Sequence, residues 1–287
     1  MQQSKAALEI GGTFIQVGIG TKTDNKWTLN NKKTFDTRDP EDTLLDLVTY
    51  LQQFEFDSIQ IASFGPLCLN KDDPQFGSIT STPKLKWQNF PIATRLSQAL
   101  KKPFAIDTDV NACAMAEFML GNHNVRQSLA YITIGTGVGV GIIVNGQCVH
   151  GMLHPEGGHI LVAKQQEDKD FKGVCAFHGD CLEGLCTNVA IAKRLNCPIT
   201  ELPNISDDHP IWELVGFYLA EACQNILYLL SIEKIVLGGG VMNRKLLYPI
   251  IDKHLRRLVN KYVEIPENYI VEPQVEDVGL IGALLLQ

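Results

Sequence analysis

The chain has 287 residues, of which 45% are hydrophobic, and a formal net charge of −7. That apolar content can fill a folded core and argues against disorder, while an acidic balance without a Lys/Arg tract argues against nucleic acid as the main partner. No apolar run approaches the ~20 residues of a membrane span, and MQQSKAALEI lacks the charged start and long apolar stretch of a signal peptide, so a cytoplasmic protein that engages no membrane is expected.

From the N-terminus, residues 5–20 (KAALEIGGTFIQVGIG) read as a strand, a Gly-Gly-Thr turn and a second strand, and Trp27–Phe35 as a third. Residues 41–54 have helical spacing with acidic residues in the first turn, and Ser58–Phe64 reads as a buried strand. Residues 65–90, rich in Pro, Gly, Asn, Ser and Thr, carry no period; a loop that long in a compact domain is usually functional. A helix fits Ile92–Lys101, a short strand Phe104–Ile106 and a helix Val110–Leu120. Leu129–Gly151 is a strand, a Gly-rich turn and a strand, with Asn145-Gly146 as a hairpin signal. Residues 164–181 look irregular, helices fit 183–195 and 208–231, and the strand Lys234–Leu237 runs into Gly238-Gly239-Gly240. A helix over 243–260, a strand at Tyr269–Val271 and a last helix near Val278–Leu286 complete the chain. AALEIGGT and AYITIGTG echo one another, which suggests two related α/β halves with a ligand between them.

Glycine lets a ligand approach backbone N–H groups. Gly11, Gly12 and Thr13, then Gly135, Thr136 and Gly137, then Gly238 and Gly239 are therefore candidates for holding nucleotide phosphates or the adenosine. There is no G-x-x-x-x-G-K-[ST] run, and the 135–141 glycines lead from strand to strand, which fails the dinucleotide pattern. FAIDTDVNACAMAE, from Phe104, ends a strand in Asp107 and Asp109, with Asn111 at a helix start. Either aspartate could cap the helix, and either could serve as the base that phosphoryl transfer to a hydroxyl requires.

Of the eight cysteines, Cys68, Cys113, Cys148, Cys197 and Cys223 sit singly among apolar neighbours and read as small buried hydrophobes. His159, Cys175, His178 and Cys181 make a different set, with Cys-x-x-His-x-x-Cys spacing and one upstream histidine. Four N/S donors suit a closed, structural Zn²⁺ site. His154 and Cys186 are spare candidates. Glu156 and Glu183 flank this region and could accept from sugar hydroxyls.

Together these pieces resemble the ROK sugar kinases (repressor, open reading frame, kinase), most closely the zinc-containing bacterial-type fructokinases. The resemblance is carried by LEIGGT (8–13), SFGPL (63–67), STPKLKW (81–87), DTDVNA (107–112), IGTGVGVG (134–141), HPEGGH (154–159), CAFHGDCLEG (175–184), LGGGVM (237–242) and GLIGAL (279–284). It implies a two-domain, actin-like (ribonuclease H-like) α/β fold with an interdomain cleft. The N-terminal domain would span 1–115, joined by helix 277–287, and the C-terminal domain 116–276, with a zinc loop at 154–183. It implies ATP and Mg²⁺ as cofactors, Asp109 as catalytic base, and sugar contacts from Gly65, Pro66, Thr82, Asn111, Glu156 and Glu183. Phosphorylation of D-fructose in a homodimer is the activity implied, with glucose, mannose or an N-acetylated amino sugar as alternative acceptors. Sugar-responsive repressors of this family carry a helix-turn-helix ahead of the first glycine turn, for which residues 1–5 leave no room. Phe14 where many relatives have Lys, Thr108 where many have Asn, and GLCTNVAIAKR where relatives often have Ser-Gly depart from the pattern.

Overall fold

The computed structural model describes residues 3–24 and 26–286. It is α/β throughout, and two five-stranded mixed sheets carry the helices. In the first sheet the order is β3-β2-β1-β4-β5, from β1 (Gln3–Ile10), β2 (Phe14–Thr23), β3 (Lys26–Asp36), β4 (Ser58–Ser63) and β5 (Phe104–Thr108). The β1–β2 and β2–β3 pairs are antiparallel hairpins, and β1–β4 and β4–β5 are parallel. The second sheet runs β10-β9-β6-β7-β8, from β6 (Ser128–Ile134), β7 (Val138–Val144), β8 (Gln147–Cys148), β9 (Ile235–Gly238) and β10 (Ile270–Val271). Here β6–β7 is the hairpin and β9 lies parallel to β6. The strand–glycine turn–strand echo is thus a repeated local architecture.

The period-2 alternation of β1 decides which helices cover which face. Ala6, Leu8 and Ile10 point into one core with Ile59 and Ile61, under α1 (Pro40–Leu51) and α2 (Ile92–Leu100), which contribute Leu44, Leu47, Ile92 and Leu96. Ala7 and Ala62 face the other way, against Ala112 of α3 (Asp109–Leu120) and Leu280, Ala283 and Leu284 of α8 (Val278–Leu285). Small residues on that face let the helices approach closely. Each fully buried Leu or Ile contributes roughly 1.5–3 kcal/mol relative to an exposed one.

The contacts divide the chain into two compact units: Met1–Asn122, Gln147–Pro155 and Gln274–Gln287 form one, and His123–Gly146 with Glu156–Pro273 the other. Among the described residues no helix is long and apolar enough to cross a membrane.

Two helices differ from the periodicity. The one expected over 183–195 is split into α4 (Leu182–Cys186) and α5 (Asn188–Leu195). Thr187 between them is extended and its hydroxyl accepts from Ala190 N at 3.3 Å, so it caps α5 instead of continuing α4. The helix expected from 243 begins only at Leu247 (α7, Leu247–Val259), because Gly239, at φ 88°, leads into a 3₁₀ turn over Gly240–Asn243. α6 (Ile211–Leu230) supplies the long buried helix of the second unit.

Candidate active site

In the first unit the parallel strands end in step: Ile10 is paired with Ser63, and Ser63 with Thr108. The Gly11–Thr13 turn, the Gly65-Pro66 segment and Asp109 therefore emerge from one carboxyl edge, the edge at which open α/β sheets bind ligands. Asp109 is the first residue of α3, and Thr108 caps that helix by accepting from Asn111 N at 3.1 Å. Its Oδ1 accepts from Val110 N at 2.9 Å, and burial raises its carboxyl to a pKa of about 6. Glu9, the residue before Ile10, is pushed up to about 7, by burial first and then by the charges on Asp109 and Asp277.

Asp107 is engaged differently. Its Oδ1 accepts from Thr108 N at 2.7 Å and from Asn111 Nδ2 at 2.8 Å, and Oδ2 lies 2.9 Å from His150 Nε2. That bond raises the His150 pKa against the effect of partial burial. Asp107 therefore holds the side chain of Asn111, which is fully buried. Gly65 and Pro66 are held by His154, whose Nε2 accepts from Leu67 N at 3.0 Å. Burial lowers the His154 pKa, which keeps that nitrogen an acceptor. His154 thus serves the loop rather than the cysteine set. Thr82 is buried, and its hydroxyl accepts from Lys84 N at 3.4 Å. Cys148 is also not purely apolar in setting: its Sγ reaches Asn111 O at 3.8 Å, beside Asp107.

In the second unit β6 and β9 also end in step, Thr133 pairing with Gly238. Gly135–Gly137 follows β6, and Gly239 turns so closely past its end that a Cβ there would lie 2.5 Å from Ile134 O. Beside these turns lies a cavity of 510 Å³, lined among others by Asn188, Ile191, Trp212, Gly240, Val241 and Arg244. Asn188 N donates to Gly135 O at 3.0 Å, which joins the cavity to the glycine turn. The Arg244 guanidinium lies 4.2 Å from the Trp212 ring centroid and pairs with Asp207. A volume of this size suits a small-molecule ligand.

Glu183, at the start of α4, accepts from Val138 N at 3.1 Å, so its carboxylate is held against the turn that ends in Gly137. Glu156 belongs to the segment that passes the same end of β7. A Cβ on Gly158 would stand 1.9 Å from Val138 O, so HPEGGH can lie this close to the strand only with glycine there. Three residues after Glu156, His159 turns Nδ1 toward the cysteines, while its Nε2 lies 3.9 Å from Glu156 Oε2.

The donors of His159, Cys175, His178 and Cys181 all lie within 4.8 Å of one another. Cys175 Sγ is 3.8 Å from His159 Nδ1 and 3.7 Å from His178 Nδ1, and Cys181 Sγ is 3.6 Å from His159 Nδ1. A tetrahedral Zn²⁺ with bonds of about 2.3 Å to sulfur and 2.05 Å to nitrogen separates S and N by about 3.6 Å, so these residues fit that ion. Without a cation, burial pushes the Cys181 thiol up to about 11. Cys186 is buried outside the set.

A model of the ROK family matches residues 5–287. The chain belongs to the ROK family. It is 36% identical over 276 residues to a fructokinase from Lactococcus lactis subsp. cremoris, covering 95% of this chain and 92% of that one. It is 38% identical over 259 residues to a fructokinase from Zymomonas mobilis subsp. mobilis, covering 87% and 86%. Among solved ROK structures, a glucokinase from Streptomyces griseus in complex with glucose and AMPPNP superposes with a TM-score of 0.74 at 19% identity, over 100% of this chain and 99% of that one.

Three features of this ROK chain escaped the sequence reading. Glu9 stands inside LEIGGT as a strand-end carboxylate, the same signal that singled out Asp109. His150 has no motif around it that would tie it to Asp107. The cavity draws on residues from 188 to 246, which no local pattern unites.

Proposed function

We propose that the chain is an ATP-dependent hexose kinase whose preferred acceptor is D-fructose. The observation that carries this reading is Asp109: a half-buried carboxylate with a pKa near 6, at the same strand edge as Gly11–Thr13 and Gly65-Pro66. A base for a sugar hydroxyl needs such a pKa, high enough to accept a proton yet ionised at neutral pH. In the step, the hydroxyl oxygen bonds to the γ-phosphorus as the bond to the β–γ bridging oxygen breaks. The hydroxyl proton passes to Asp109, and ADP and the sugar phosphate leave.

Asn111, held by Asp107, and the 65–66 and 82 segments would orient the sugar, with Glu156 and Glu183 accepting from its hydroxyls. Gly11–Thr13 and Gly135–Gly137 would present amides to phosphates, and the cavity beside Gly238 and Gly239 would take the adenosine. Mg²⁺ bound with the nucleotide would supply charge neutralisation. Zn²⁺ held by His159, Cys175, His178 and Cys181 would be structural. The two compact units would be the two domains of such a kinase, acting in the cytoplasm as a homodimer. Fructose is placed first because the Lactococcus and Zymomonas relatives are fructokinases.

A coupled assay of ADP release with ATP, Mg²⁺ and a panel of fructose, glucose, mannose, N-acetylglucosamine and N-acetylmannosamine tests the reading. A fructose-dominated signal is expected. A signal dominated by another sugar would replace the acceptor, and silence across the panel in folded, metal-loaded protein would defeat the kinase reading.

A further inference from the structure

The Gly11–Thr13 turn has an open face, and one side chain crosses it. A Cβ built on Gly12 would stand 3.3 Å from Lys84 Cε, and among the described residues no other atom beyond its chain neighbours comes within 4 Å of that position. The Lys84 ammonium is one bond further on. Among the described residues it has no carboxylate or carbonyl partner. Lys86, two positions later, is taken up by Asp39 at 2.5 Å.

Lys84 is also placed by structure rather than by chance. Thr37 holds the glycine turn, its N donating to Thr13 O at 2.9 Å and its hydroxyl to Gly11 O at 2.7 Å. The adjacent Arg38 carbonyl accepts from the indole of buried Trp87 at 3.0 Å, and Trp87 N donates to Lys84 O at 2.8 Å. Residues 37 and 38 therefore fix both the turn and the lysine that lies over it.

The local charge calls for such a group. Glu9, two residues before the turn with its carboxylate against Gly279, is electrostatically coupled to Asp109 and Asp277. The residue that leaves the turn is Phe14, which brings no charge. A phosphoryl group arriving here adds negative charge to a strand edge that already carries Glu9 and Asp109 in a partly buried setting, where like charges repel. Open amides can bind it, and a positive charge must offset the repulsion.

We propose that Lys84 is a catalytic residue: its ammonium binds the phosphoryl group in transfer at Gly11–Thr13 and neutralises the charge on its non-bridging oxygens. The inference rests on the phosphoryl-transfer reading above. Lys84 keeps its protons throughout; the hydroxyl proton goes to Asp109, and the electron pair of the broken P–O bond leaves with ADP.

The test uses Lys84→Met and Lys84→Arg in the full chain, with thermal unfolding to establish that both fold as the parent does. In steady state, Lys84→Met should lower kcat/KM for ATP by about 10²–10³-fold, and Lys84→Arg, which keeps the charge in another shape, by less. Calorimetric titration with ATP and with AMP, without sugar, gives a second readout that needs no turnover. Lys84→Met should weaken ATP binding at least about tenfold more than AMP binding, since AMP lacks the phosphoryl group that Lys84 holds. An unchanged ATP-to-AMP affinity ratio in Lys84→Met overturns the proposal, as does a parent protein that does not bind ATP. If the parent binds ATP but phosphorylates no sugar, the kinase reading fails, while the affinity ratio still decides Lys84.

Discussion

Asp107 and Asp109 stand two positions apart at the end of one strand and do different work. Asp107 spends both oxygens on Thr108, Asn111 and His150, whereas Asp109 bonds to backbone amides at the start of its own helix. The sequence narrowed the proposed base to these two, because a carboxylate at a strand end and a cap at a helix start look alike in one dimension. The partners that separate them, such as His150, lie some forty residues away in the chain. Asp109→Asn should abolish phosphoryl transfer, by at least about 10³-fold, while sugar binding by calorimetry and the unfolding temperature are kept. Full activity in that variant would remove Asp109 as base. The pH profile follows from the same residue. A base acts only when ionised, and burial raises its pKa from 3.8 to about 6. The rate should therefore be full above that value and fall as pH drops through about 6, well above the range of an exposed aspartate. Glu9, raised to about 7 at the same edge, loses its charge before Asp109 does, and losing a like charge eases the ionisation of Asp109, so the acid limb should be no steeper than one proton makes it.

At the scale of the element, the 154–183 segment shows how a loop with little regular structure is held at both ends. Its entry passes along β7 with Gly158 against Val138 O. Its middle is tied down by a buried pair, Arg194 with Asp168 at 2.7 Å, and by the Tyr218 hydroxyl donating to Asp168 at 2.9 Å. Cys175, His178 and Cys181 gather the stretch they span onto His159, their donor atoms within 4.8 Å of one another. The donors were legible because Cys-x-x-His-x-x-Cys is a short-range pattern. The Arg194–Asp168–Tyr218 anchor was not, since a charged pair hidden in a fold has no local mark. Neither was the break at Thr187, which a helical period runs straight through. On the zinc reading, removing the metal with a chelator should loosen the stretch between 172 and 180, leaving it the Lys164–Asp180 pair at 2.9 Å and the Val174 N–Gly184 O bond at 3.0 Å. Limited proteolysis should then cut between 172 and 180 and spare the 164–171 stretch, with zinc content measured on the same samples. Because His159 carries Glu156 beside it, the same treatment should raise KM for the sugar about tenfold or more, with a smaller effect on KM for ATP. Identical cleavage and KM before and after zinc loss would show that the cysteine set does not hold this loop.

At the scale of the whole chain, the sequence echo between residues 6–13 and 130–137 became two sheets of like construction, since a strand–turn–strand unit with a parallel neighbour is encoded locally in each half. What the echo could not show is how the last residues are bound into the first unit. That depends on Glu117, a buried acid in the second half of α3. Its carboxylate accepts from Gln274 N at 3.0 Å and Val275 N at 2.9 Å, just before α8 packs along α3. The helices meet at Gly282, where a Cβ would lie 2.0 Å from Ala112 O. Glu117→Ala strips a charged acceptor from two amides and leaves them to find water. At about 1.5–3 kcal/mol for each hydrogen bond to a charged group, the loss should be about 3 kcal/mol or more. For a chain of this size that lowers the unfolding temperature by roughly 6–12 °C. Glu117→Gln, which keeps one acceptor oxygen, should lose about half as much. Since α3 begins with Asp109 and ends beyond Glu117, the two variants separate scaffold from chemistry. At a temperature where Glu117→Ala is still folded, its acid limb should remain near pH 6, because the groups around Asp109 are untouched. An unfolding temperature equal to that of the parent would mean that α8 is held to the first unit without these two bonds, by its apolar face, the Lys5 bond to Leu284 O and the Lys32–Asp277 pair.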